Sequence, residues 1–183
     1  MPESNAPADG NFILQIKPLI QVRIHMNRPL TETANDYFNY LGRYFPQQCA
    51  NDEFYFLPRS ERAIEHLDRL DDLTAEKVQD HIKYAGGLLD KISSKEYDVL
   101  EDEIDRLLFR QSIESFMREF GEAEVWRNDP TLYIKIPLFA TDQIVSSALN
   151  QEQIRAMLHS LFDQIPSFLN VGIENVQSAS EIA

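Results

Sequence analysis

A single cysteine, Cys49, stands among 183 residues, so no disulfide can form within the chain. Basic residues are scarce: 17 Lys and Arg face 30 Asp and Glu, a formal net charge of −13. Such a chain repels a phosphate backbone, and its densest basic cluster, Arg106, Arg110 and Arg118, is interleaved with acids. No nucleic-acid partner is therefore expected. No uncharged apolar run approaches the roughly 20 residues of a membrane span, so no membrane association is expected either. The opening MPESNAPADG lacks the basic and apolar regions of a secretory signal, which makes a reducing cytoplasm the expected compartment.

What is present is apolar material for a core. Hydrophobic residues make up 43% of the chain, and a domain of this size buries about 70% of its unfolded surface without a metal or disulfide. Residues 1–10 read as a flexible tail and 11–183 as a single domain, mainly α, a multi-helix bundle. Short strands are expected near 12–26 and 53–57. In the first, Phe12, Leu14, Ile16, Ile20, Val22, Ile24 and Met26 alternate with polar residues. Residues 132–138 carry both signals: Leu132, Ile134, Ile136 and Leu138 alternate, while Tyr133, Ile136 and Ala140 keep helical spacing, and Pro137 disturbs either structure. A kinked helix is favoured there.

Helical periodicity marks the rest. Thr31 or Thr33 is the expected cap of a helix with Tyr37, Phe38, Leu41, Tyr44 and Phe45 as its stripe, ended by Pro46. Ile64, Leu67 and Leu70 suggest a further turn or two. Thr74 precedes a helix buried through Val78, Ile82, Ala85, Leu88 and Leu89. Ser93 and Glu96 have capping-box spacing ahead of a long helix that carries Leu100, Ile104, Leu107 and Leu108, then Phe116 and Phe120. Gly121 is suited to end it in a left-handed turn. Asp129–Pro130 is a helix-start signal. Asn150 and Gln153 form a capping pair for a last helix with Ile154, Met157, Leu158, Leu161, Phe162 and Ile165 on its buried face.

The residues of chemistry are dispersed. His25, His66, His81 and His159 never fall within one helical turn of each other, and there is no H-E-x-x-H, so no metal site is expected. His159 and Asp163 read as a surface pair. Glu101 and Asp105 of EDEID share a solvated helix face rather than a cleft. Asp71–Asp72 is accounted for by the start of the helix after Thr74. Cys49 has no histidine near it in sequence, no G-x-S-x-G elbow is present, and Gly86–Gly87 lack phosphate-loop spacing, reading instead as a close helix approach or a bend. No catalytic residue and no cofactor is assigned. An aromatic cluster, with Tyr37, Tyr40, Tyr44, Phe54 and Phe56 as its candidate pocket residues, suits either a core or an apolar ligand site.

Three blocks resemble a known bacterial family. HLDRLDDLTAEKVQ (66–79) is similar to the start of the family called domain of unknown function 885. The stretch from Asp105, Leu107 and Leu108 through Trp126, Asn128, Pro130 and Tyr133 is similar to its D-x-x-L-L helix and following Trp and Asn-x-Pro-x-x-Tyr. Ile165, Pro166, Leu169 and Asn175 match its last helical pattern. The resemblance covers roughly residues 60–183 and implies the largely helical N-terminal region of a metallopeptidase-like protein. The family's H-E-x-x-P-G-H metal motif has no counterpart here, so the resemblance transfers no catalytic or zinc-binding residue. Zinc is expected only in a catalytic half outside this chain.

Trp126, Asn128, Asp129, Pro130 and Tyr133 then read as a structural joint between helices. The expected role is a non-catalytic helical domain that shapes or covers a substrate cleft together with a C-terminal part. The alternatives are a free-standing interaction module, including a homodimer, and a small-molecule binder using the aromatic cluster.

Overall fold

The computed structural model describes residues 28–94 and 99–176, whose regular elements are all helical, with no strand among them. Seven α-helices follow in order: α1 (Arg28–Tyr44), α2 (Pro46–Ala50), α3 (Ala75–Ser93), α4 (Leu100–Phe116), α5 (Val125–Asn128), α6 (Leu132–Val145) and α7 (Gln151–Asn175). A 3-10 turn, Glu61–His66, lies between α2 and α3, and a π-helical segment, Met117–Glu122, prolongs α4. Helices α3 and α4 pack as one pair and α6 and α7 as another, while α1 and α2 rest on the 3-10 turn. Phe45, Phe116, Phe120, Trp126, Ile136, Ile144 and Leu161 are fully enclosed where these groups meet.

Helix α1 buries Leu30, Ala34, Tyr37 and Leu41, a stripe at three- and four-residue spacing. Gly42 lets it approach the 3-10 turn: a Cβ there would stand 2.9 Å from the Ala63 nitrogen. The bundle was legible in the sequence; several local expectations were not met. The strand expected at 12–26 and the tail at 1–10 lie outside the described residues. Residues 53–57 form turns, with Leu57 N–H bonded to the Phe54 carbonyl at 3.0 Å. Phe54 and Phe56 do point inward and Tyr55 outward, but no neighbouring chain pairs with them. Residues 132–138 are helical, and α6 runs on through Pro137 because tertiary burial of Ile136 and Pro137 outweighs the lost hydrogen bond.

Thr31 and Thr33 lie inside α1 rather than capping it. Ser93 is the last residue of α3, so it cannot cap α4, whose N-cap is Val99 without a side-chain bond. Gly121 does not adopt a left-handed conformation. The π segment carries the chain past it, and the left-handed turn falls on Glu124 at φ 45°. Gly86 and Gly87 give no close approach, since a Cβ on either would meet nothing within 4 Å. The 3-10 turn buries Ala63 and leaves Ile64 exposed, because three residues per turn rotate the face that 3.6 would have buried. Asp71 does not serve α3, whose start is held by Asp72 accepting from Thr74 N–H and Oγ. Asn150 and Gln153 form a complete capping box on α7.

The largest departure is on α4. Its core face consists of Asp102, Phe109, Ile113 and Phe116. Leu100, Ile104, Leu107 and Leu108, which the periodicity predicts as buried, are exposed. The helix is apolar on two opposite faces, and a periodicity cannot say which of the two the core takes.

Candidate functional site

Three of the residues that carry the resemblance, Trp126, Tyr133 and Asn175, meet at one place, while Leu107 and Leu108 lie exposed on α4. Trp126 has no exposed surface, and its Nε1–H donates to the Phe120 carbonyl at 3.0 Å, satisfying a group at the end of the π segment. The Tyr133 hydroxyl donates to the Trp126 carbonyl at 2.7 Å. Asn175, near the end of α7, donates through Nδ2 to the Tyr133 hydroxyl at 2.8 Å and to the Leu73 carbonyl at 2.6 Å. One polar chain thus links the loop before α3, the turn around α5, the start of α6 and the end of α7. Burial raises the Tyr133 pKa, which keeps its phenol a donor.

The rest of the joint is local. Asn128 donates through Nδ2 to the Ala123 carbonyl at 2.9 Å. Asp129 accepts from the Thr131 backbone at 2.9 Å, an Asx turn that places Pro130 ahead of α6. Arg127 lies 4.4 Å above the Trp126 ring. Gly172 faces Tyr133 so closely that a Cβ would come within 2.6 Å of the ring.

Beside this joint lies a groove of about 440 Å³ lined by Pro130, Tyr133, Ile134, Leu169, Gly172, Ile173 and Val176. Its walls are almost wholly apolar. Ile173 is 76% exposed and Ile134 63%. Pro130, Tyr133 and Leu169 are also positions of the family resemblance.

A second polar network holds the loop 67–74. Gln47 donates through Nε2 to the Leu67 and Arg69 carbonyls at 3.0 and 2.6 Å. Gln164 accepts from Leu70 N–H at 3.0 Å and donates to the Asp68 carbonyl at 2.9 Å. The Asp71 carboxyl is enclosed and accepts from the backbone N–H groups of Gln47 and Gln48 at 2.8 and 3.3 Å. Burial pushes its pKa up to about 7, with the donors of Gln47 and Gln48 pulling the other way.

Asp71, Gln47 and Gln164 carried no sequence signal as anchors. Their partners are backbone groups some 20 to 96 residues away, beyond the reach of periodicity. Asn175 was visible only through the resemblance.

The predicted pocket residues are distributed through the interior. Tyr37 and Phe109 make an edge contact at 5.4 Å, and Tyr40 stacks on Tyr84 at 4.0 Å and meets Tyr44 at a tilt at 4.7 Å. Phe54 and Phe56 belong to a different cluster with Phe120 and Phe139. The Tyr40 hydroxyl is hydrogen-bonded to Nδ1 of His81, a buried ring whose pKa is lowered to about 4 by desolvation. Burial, then the neighbouring Asp71, raises the Cys49 thiol well above its usual range, so it is a poor nucleophile.

His66 bonds to Arg69, and His159 lies 3.9 Å from Asp163 on the exposed side of α7. Among the described residues no three His, Cys, Asp or Glu side chains gather to hold a metal ion, and no helix is long and apolar enough to cross a membrane.

No family model matches the chain, and neither a curated protein nor a solved structure is significantly similar to it. The likeness to the domain of unknown function 885 family therefore rests on the sequence blocks.

Proposed function

We propose that the chain is a non-catalytic helical docking domain, the N-terminal region of a metallopeptidase-like protein, which covers a substrate cleft formed with a catalytic part outside this chain. The observation that carries this reading is the apolar groove between α6 and α7. It opens beside the Trp126–Tyr133–Asn175 network and shares Pro130, Tyr133 and Leu169 with the resemblance. Large aliphatic side chains facing water at a rigid, hydrogen-bonded junction are the form of a surface that packs against another folded part. The network supplies the rigidity: both Nδ2 contacts of Asn175 and the Tyr133 hydroxyl are engaged within it.

The test mixes the chain with the proposed catalytic part, a polypeptide carrying H-E-x-x-P-G-H, and assays zinc-dependent peptide hydrolysis by each alone and by the mixture. The chain alone is expected to be inactive and the mixture active. Stoichiometric zinc binding and hydrolysis by the chain alone would overturn the reading.

A second reading, a free-standing interaction module, is favoured by the exposed apolar face of α4. The aromatic side chains near 37–56 pack on one another and on His81, Tyr84 and Phe109, which weighs against their use as a small-molecule site.

A further inference from the structure

Helix α4 presents Leu100, Ile104, Leu107 and Leu108 directly away from the core, with Val99 just ahead of them. Successive side chains turn by about 100°, so positions 100, 104, 107, 108 and 111 form one stripe opposite the buried Phe109 and Ile113. Leu100 is 70% exposed and Leu108 62%. With Val99, Ile104 and Leu107 they leave on the order of 500 Å² of apolar surface bare, near the most that a lone monomer usually shows in one patch.

The charges beside the stripe are ordered along the helix. Glu101, Glu103 and Asp105 outnumber Arg106 in its first half, while Arg110 and Glu114 balance each other in its second. Glu103 is paired with Arg106 at 2.6 Å and Arg110 with Glu114 at 2.7 Å within the helix. A parallel pairing of two such helices would set the acidic halves against each other. An antiparallel, two-fold pairing centred between Leu107 and Leu108 sets the acidic half of one copy against the charge-balanced half of the other. It also places Ile104 opposite Gln111, Leu107 opposite Leu108 and Leu100 opposite Ser115.

We propose that the α4 stripe is a self-association surface, on which two copies of this chain pack antiparallel through Leu100, Ile104, Leu107 and Leu108. The two stripes together bury on the order of 1,000 Å² of apolar surface. The polar flanks, Glu101, Glu103, Arg110 and Gln111, add the rim that brings the total into the range of about 1,200–2,000 Å² typical of a stable dimer. The rest of each copy carries excess negative charge, so repulsion opposes the pairing and added salt strengthens it. The inference stands apart from the α6–α7 groove, which remains open in the dimer to a different partner.

Sedimentation velocity on the full chain, from about 1 to about 200 µM, reads the association. The wild-type chain is expected to be dimeric at the upper end, and Leu108→Glu monomeric at every concentration. Far-UV circular dichroism and Trp126 fluorescence serve as the check that the variant is folded. Ile173→Asp, in the α6–α7 groove, should remain dimeric.

Orientation is read separately with Ile104→Cys/Gln111→Cys under mild oxidation. Seven residues span about 10 Å along a helix, too far for a disulfide within one copy, and Cys49 is enclosed. A covalent dimer through 104–111 bonds is therefore the expected product. A wild-type chain that stays monomeric throughout, a dimer that survives Leu108→Glu, or cross-links only between identical positions would each overturn the proposal.

Discussion

Replacing Asp71 by Asn removes one buried charge while keeping an oxygen for the Gln47 N–H. The wild-type carboxyl titrates at 3.8 when unfolded and at about 7 in the folded protein, because burial disfavours its ionised form. Between those values the folded state holds a proton that the unfolded state has released. Stability must therefore fall as pH rises through that window and level off above it. At about 1.4 kcal/mol per pH unit the fall amounts to about 4 kcal/mol.

His81 acts in the opposite sense. Its folded value of about 4 lies below the 6.5 of the free side chain, so the unfolded state binds the extra proton and stability rises with pH across about 4 to 6.5. The wild-type profile is thus nearly flat where the two oppose each other, and a single curve hides both. The difference between Asp71→Asn and wild type cancels His81 and isolates Asp71.

Urea unfolding at pH 4, 5, 6, 7 and 8 measures that difference. The variant is expected to gain about 4 kcal/mol relative to wild type between pH 4 and pH 8, superimposed on a constant cost of about 1–3 kcal/mol for its amide facing the Gln48 N–H. A difference that stays constant across this range would refute the argument, because the charge would then be of no consequence to folding.

Trp126→Ala should lower stability by about 3–5 kcal/mol, since it empties an enclosed site and leaves the Phe120 carbonyl without its donor; a urea midpoint shift corresponding to less than about 0.5 kcal/mol would contradict the joint. The glycines should divide by sign in thermal melts. Gly172→Ala drives a methyl into the Tyr133 ring and should cost about 1–3 kcal/mol, whereas Gly86→Ala and Gly87→Ala fill open space on α3 and should each gain about 0.5–1 kcal/mol. Equal effects at the three positions would remove the argument from close packing.

The helices were legible where one apolar face and one cap sufficed, as at α3 and α7, where Thr74 and Asn150 mark the starts, although Phe162, expected on the buried face of α7, is 51% exposed. They were misread where a second influence competed. On α4 two apolar stripes exist, and only the packing of Phe109 and Ile113 decides which is interior. At 53–57 the in-and-out alternation of Phe54, Tyr55 and Phe56 is real, but turns produce it as readily as a strand does. Of the candidate site, the Trp126–Tyr133 segment could be picked out from its turn chemistry and its resemblance. Its partner Asn175 lies 42 residues beyond Tyr133 and 102 beyond Leu73, and nothing local announces such a bond.

The docking role proposed for the α6–α7 groove is tested most directly by calorimetric titration into this chain of the proposed catalytic part, a polypeptide carrying H-E-x-x-P-G-H. Ile173 is largely exposed, so Ile173→Asp should leave the fold intact. The expected result is a one-to-one complex with the wild-type chain, weakened about 100-fold or more by Ile173→Asp and unchanged by Leu108→Glu. A complex of equal affinity with Ile173→Asp, or no complex with the wild-type chain, would contradict the account.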